Sequence, residues 1–176
     1  MSKKKPGGQA PAVILINPKF AHNVGAALRA CSCFGIPQLI YTGDRIDGDL
    51  AMRKRLPREE RMKGYKDVEF AGCDYPFERL PDDAVPVAVE LRDGSTPLTY
   101  FEHPEKAVYV FGPEDGSLRH VQVRECHQFI VIPSAHCLNL AAAVNVVLYD
   151  RRMKRQLQGL EPVAQRDILR EHRGAL

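Results

Sequence analysis

The chain has 176 residues, 44% of them apolar and 27% charged, with a formal net charge of +3. That balance fits one globular domain large enough to bury a core. It leaves out a membrane protein, since no apolar run approaches the roughly 20 residues that span a bilayer.

Residues 1–10 carry lysines and glycines but no apolar h-region, so they read as a short disordered basic arm rather than a secretory signal. Residues 11–176 are then expected to form the domain. Ala12–Ile16 is an apolar run ending at Asn17-Pro18, a strand followed by a turn. Phe20-Ala-His-Asn forms the next loop, and a helix is expected from about Asn23 to Phe34, with Asn23 as its cap and Gly35 as its stop. Gln38–Tyr41 reads as a second strand, completing a crossover unit of a parallel sheet.

The polar stretch from Arg45 to Gly72 predicts a short helix around Arg58–Met62 and a weak strand near Val68–Phe70. Pro76–Pro81 predicts a loop with a helical turn, and Val85–Glu90 a strand. Pro97–Pro104 is turn-rich, Ala107–Phe111 is a strand, and Arg119–Cys126 is a short helix. Phe129–Ile132, closed by Pro133, reads as a buried strand. Leu138–Tyr149 is apolar on nearly every side and predicts a helix buried all round, with Asn139 as a candidate cap. A last helix is expected near Val163–His172.

Charge is distributed unevenly. Arg45–Lys66 has a net charge of +4, Asp67–Glu105 of −8, and Arg151–Leu176 of +4. Basic segments around an acidic middle suit a nucleic-acid-facing side, although solvated helix faces would leave the same trace. The five cysteines, Cys31, Cys33, Cys73, Cys126 and Cys137, are odd in number and lack paired spacing. A reducing cytoplasm, mostly buried thiols and no metal centre are therefore expected.

There is no Gly-x-Gly-x-x-Gly after the first strand, no Gly-Lys-Ser/Thr and no Gly-x-Ser-x-Gly elbow. Dehydrogenases, P-loop nucleotidases and serine hydrolases are thus disfavoured. Instead, Asn17–Val24, Gly112–Ser117 and Pro133–Asn139 each follow an expected parallel strand. Loops after the carboxyl ends of such strands converge on one crevice, where ligands bind.

Together these loops resemble a known family. Asn23-Val-Gly-Ala-Ala-Leu-Arg29 is similar to the Asn-x-Gly-x-x-x-Arg first motif of the SpoU–TrmH RNA methyltransferases of the SPOUT superfamily. Phe111-Gly-Pro-Glu114 resembles the second motif. Ile132-Pro133 and Cys137-Leu-Asn-Leu140, followed by an alanine-rich helix, resemble the third. Order and spacing match over about residues 12–155.

The resemblance implies an α/β fold of SPOUT type: a parallel sheet flanked by helices, with a C-terminal deep trefoil knot over about residues 107–155, a rare exception to unknotted topology. It implies a homodimer that uses S-adenosylmethionine to methylate a ribose 2′-hydroxyl, in tRNA rather than rRNA. The cofactor would lie against Val89, Glu90, Leu91, Phe111, Gly112, Ile132, Cys137, Leu138 and Asn139. Catalytic roles would fall to Arg29, Asn23, Glu114 and Cys137. Arg29 matches an arginine held to help deprotonate the hydroxyl, yet a guanidinium stays charged and is better suited to holding a phosphate or orienting the 2′-oxygen. RNA would meet Arg29, Arg53, Lys54, Arg55, Arg151 and Arg155. Two departures stand out: Cys137 replaces the usual serine in a shortened loop, and the glycine of Glu114-Asp-Gly-Ser-Leu118 comes one place early. A non-catalytic SPOUT-fold protein that only binds RNA or cofactor is the rival reading.

Overall fold

β1 (Ala12–Leu15) is buried at every residue and pairs in parallel on both sides, with β2 (Gln38–Tyr41) and with β6 (Ala107–Phe111). The computed structural model describes residues 8–48 and 67–162. The remaining strands are β3 (Glu69–Gly72), β4 (Val85–Val89), β5 (Thr96–Pro97) and β7 (Gln128–Val131). They form a seven-stranded sheet in the order β3-β2-β1-β6-β4-β7-β5, parallel at every pairing. Strands covered on both faces read as continuous apolar runs rather than alternating ones, which is why Ala12–Leu15 and Ala107–Phe111 stand out in the sequence.

Alternation nevertheless sorts their side chains. Val13, Leu15, Tyr109 and Phe111 point to one face, beneath α1 (Ala21–Phe34) and α3 (Leu140–Leu157). Ile14, Val108 and Val110 point to the other, with Leu118, Cys126 and the half-buried Val123 of α2 (His120–Glu125). Fully burying a valine, leucine or isoleucine is worth about 1.5–3 kcal/mol, so this two-sided core dominates stability.

Several expectations change here. α1 begins two residues early, at Ala21, and no side chain caps it. Asn23 is therefore inside the first turn, 3% exposed, and its amide points elsewhere. Gly35 does end the helix, at φ 70°, with its N–H on the Cys31 carbonyl. Asn139 does cap α3, its side chain accepting from Ala142 N at 3.1 Å. That helix is not buried all round. Leu140, Ala141, Val144, Val147, Leu148 and Arg151 face inward, while Val146 and Tyr149 are exposed. Of the thiols only Cys31 and Cys126 are buried; burial pushes Cys126 up to about 12. Gln9, assigned to a disordered arm, donates its N–H to Gln38 Oε1 at 3.0 Å. The helices expected around Arg58–Met62 and Val163–His172 lie outside the described residues.

A polar cluster locks α3 to the segment between β5 and β6. Arg151 donates to the carbonyls of Pro104 and Glu105, and Lys154 to those of Leu98 and Phe101. His103 lies between Tyr109 Oη, at 2.6 Å from Nδ1, and Asp150 Oδ2, at 2.7 Å from Nε2. A neutral ring satisfies both, accepting from the phenol and donating to the carboxylate. Burial lowers the His103 pKa below its ordinary 6.5, against the opposing pull of Asp150. The unfolded chain takes up the proton first, so this stability is present above about pH 6.5 and is lost as pH falls through that value toward the folded pKa. The urea midpoint should accordingly drop between pH 7 and pH 5, and drop less in His103→Gln. Parallel pH profiles for the two proteins would dismiss the assignment.

Candidate active site

Because every strand runs the same way, the loops following β1, β4, β6 and β7 all leave one edge of the sheet. They enclose a cleft of about 670 Å³, within the range of small-molecule and cofactor sites. All nine residues expected to meet the cofactor line it: Val89, Glu90, Leu91, Phe111, Gly112, Ile132, Cys137, Leu138 and Asn139. Asn23 and Glu114 line it too. Its more buried lining is apolar, from Val89, Phe111, Ile132, Leu140 and Ala143, and its exposed lining mixes polar side chains with Phe20, Leu91 and Leu138.

A chain of hydrogen bonds joins the loops. Lys19 N donates to Glu114 Oε2 at 2.7 Å, and Asn23 Nδ2 donates to Glu114 Oε1 at 2.8 Å. Asn139 Nδ2 in turn donates to Asn23 Oδ1 at 2.9 Å, while its own oxygen caps α3. One buried asparagine thus ties the loop after β1 to those after β6 and β7. This explains why Asn23 is no cap: its amide is spent across the cleft, over 91 residues to Glu114 and 116 to Asn139. Outside this chain, Arg45 grips Asp115 with both terminal nitrogens, at 2.9 and 2.7 Å, and Lys19 Nζ is 3.3 Å away. Arg45, and secondarily Lys19, hold the Asp115 carboxyl well below the usual carboxylate range.

On the opposite wall, Glu90 Oε2 accepts from Leu118 N at 2.9 Å, bracing the loop that contains Gly112. A Cβ built on Gly112 would be 3.4 Å from Leu118 N and 3.6 Å from Glu90 Oε2. That is ordinary contact, so the protein itself has room for a small side chain there. Ser134 Oγ donates to the carbonyls of Ile132 and His136, at 3.3 and 2.9 Å, and so closes the shortened loop rather than serving as a nucleophile. Cys137 is exposed in the cleft wall.

The basic residues fare differently. Arg29 is exposed on α1 and does not line the cleft. Arg151 is 5% exposed, with its guanidinium on two backbone carbonyls, which leaves it unable to meet a phosphate. Arg155 is largely covered and bonds Glu161 Oε1 at 2.7 Å. Arg53, Lys54 and Arg55 lie outside the described residues. Sequence reasoning had passed over Phe20 and His22, which line the cleft with their rings stacked, centroids 5.4 Å apart. Their position between β1 and the first motif, Phe20 in the loop and His22 in the first turn of α1, was the available signal.

No helix among the described residues is long and apolar enough to cross a membrane. The sequence pattern of the SpoU rRNA methylase family matches residues 10–149. A tRNA (cytidine-2′-O-)-methyltransferase, TrmJ of Methanocaldococcus jannaschii, is 29% identical over 93% of this chain and 76% of its own length. TrmJ of Pseudomonas aeruginosa, a tRNA (cytidine/uridine/adenosine-2′-O-)-methyltransferase, is 30% identical over 80% of this chain, which spans only 60% of that protein. A solved structure described as giving insight into 2′-hydroxyl methylation of C/U34 on tRNA superposes with a TM-score of 0.69, at 29% identity, over 84% of this chain and 96% of that one. The match over most of its length, with Asn23, Glu114 and Asn139 of the three motifs gathered around one cleft, makes the chain a member of the SpoU rRNA methylase family.

Proposed function

We propose that this protein is an S-adenosylmethionine-dependent RNA methyltransferase acting on a ribose 2′-hydroxyl, in tRNA rather than rRNA, in the cytoplasm. The observation that carries the reading is the Glu114–Asn23–Asn139 chain, which fixes the loops of all three motifs around one cleft. When bound, the cofactor would supply an electrophilic methyl group on its sulfonium. The apolar lining and the backbone of Gly112 and Leu138 suit a nucleoside-bearing donor, and Glu90 and Asn139 offer polar contacts beside it. Asn23 and Glu114 hold the loops, and Arg29, exposed on α1 outside the cleft lining, holds a phosphate of the RNA backbone. The Arg53–Arg55 segment contributes phosphate contacts, which would make affinity salt-dependent.

Within the domain of residues 11–176, the trefoil knot is part of the same proposal. Strand order supports it: β6 lies between β1 and β4, and β7 between β4 and β5, so both late strands enter inside the sheet. A knotted chain pulled from its ends keeps a tightened loop; full unknotted contour length in single-molecule unfolding would overturn it.

The protein works as a homodimer in this reading. Support comes from a groove of about 470 Å³ lined by Phe34, Leu98, Val146, Tyr149 and Met153, with Tyr149 61% exposed. An apolar helix face of this kind suits a second copy. A monomeric mass by light scattering at micromolar concentration would count against it.

The deciding experiment is methyl transfer from labelled cofactor to bulk tRNA and rRNA, followed by nucleoside analysis. No 2′-O-methylated nucleoside from either pool would refute the enzyme. Variants should separate the roles. Gly112→Ala should keep its melting temperature, since its Cβ has room, yet lose cofactor affinity at least tenfold by calorimetry. Arg29→Ala should keep cofactor affinity and lose turnover. Equal loss of affinity in both would overturn this division.

A further inference from the structure

Phe20 and His22 form the part of the cleft that the motif residues leave unexplained. Phe20 directly precedes α1, and its carbonyl accepts from Asn23 N at 3.0 Å, so its backbone is fixed by the helix start. Its ring stacks on that of His22 at 5.4 Å and 24°. Both line the cleft while remaining exposed, Phe20 at 43%. Lys19 Nζ lies over the Phe20 ring, 5.4 Å from its centroid, and is paired with Asp115 at 3.3 Å. The pair stands on the β1 side, next to Asn23, whereas the residues suited to the cofactor come from the loops after β4, β6 and β7.

We propose that the Phe20–His22 pair is a stacking platform for a nucleobase of the RNA, that of the acceptor nucleotide or its neighbour. The inference rests on the RNA methyltransferase reading and adds the surface that holds the base. Unpaired bases splay onto aromatic side chains because every base offers a π-face. A stack of this kind tolerates different bases, so the platform orders the nucleotide without choosing it.

The test is steady-state methyl transfer to bulk tRNA, with cofactor affinity measured separately by calorimetry. Phe20→Ala and His22→Ala should each raise the KM for tRNA about 5- to 150-fold, the equivalent of about 1–3 kcal/mol per stacked base. Cofactor Kd should stay within about twofold in both, and Phe20→Tyr and His22→Phe should restore KM. If Phe20→Ala fails to fold, the exposed His22 decides. An unchanged KM for tRNA in an active enzyme overturns the platform alone. A cofactor Kd that weakens in step with KM overturns it too, and makes the pair a wall of the cofactor site. If the wild type methylates neither tRNA nor rRNA, the parent reading fails and the platform falls with it.

Discussion

Asn23→Asp should be more damaging than removal of the same side chain. Asn23 is 3% exposed, and its amide nitrogen lies 2.8 Å from Glu114 Oε1. An aspartate there keeps the acceptor for Asn139 but sets one carboxylate against another. Leaving a buried charge uncompensated costs about 3 kcal/mol or more, whereas Asn23→Ala should cost about 1–2 kcal/mol for its broken hydrogen bonds. For a chain of this size, 3 kcal/mol is a fall of about 6–12 °C in melting temperature. Two carboxylates sharing a site raise the pKa of one of them. A group whose pKa is higher in the folded state gains stability as pH falls, so the Asp variant should recover part of its loss between pH 8 and pH 5. Melting curves at both pH values check this; equal melting of the Asp and Ala variants at each would contradict the buried contact. Methyl transfer should be lost in the Asp variant.

Arg151→Met tests whether that arginine belongs to the RNA surface or to the scaffold. Its guanidinium donates to Pro104 O at 3.0 Å and to Glu105 O at 2.9 Å. Methionine fills much of the volume and supplies no donor, so Glu105 O loses its partner while Pro104 O keeps the Ala107 N–H at 3.3 Å. At about 1–3 kcal/mol for the stranded carbonyl, the variant should lose about 1–3 kcal/mol, visible as an earlier urea midpoint. RNA affinity of the folded variant, and its slope against log salt, should match the wild type. A flatter salt slope with unchanged stability would return Arg151 to the RNA face.

The sequence exposed these elements unequally. Ala107–Phe111 and Gln38–Tyr41 were read to the residue, because buried parallel strands leave unbroken apolar runs between turn residues. Thr96–Pro97 was not, because two residues carry no periodicity. Asn139 was legible as a cap, since capping is a local interaction. Asn23 looked identical on paper, and its partners 91 and 116 residues away could not be inferred from spacing. Motif resemblance drew the cleft-lining residues together. It misplaced Arg151, since a basic residue on an apolar helix gives no sign of whether it turns outward or onto backbone carbonyls. Phe20 and His22 were passed over because a single loop aromatic announces nothing until its neighbour is seen stacked on it.

The insertion of β6 between β1 and β4 governs how the chain can be made. As the polypeptide leaves the ribosome, β1 can pair with β2 as soon as Tyr41 has emerged. Its other edge must wait for Ala107–Phe111. During that interval a nascent chain offers an apolar strand with an open ladder of donors and acceptors, the kind of edge onto which stray strands add. The slot closes only when β6 pairs with β1 on one side and β4 on the other. Pairings so distant in sequence form slowly. The same arrangement that gathers the loops after β1, β4, β6 and β7 on one rim therefore leaves that edge of β1 open until Phe111 has been synthesised.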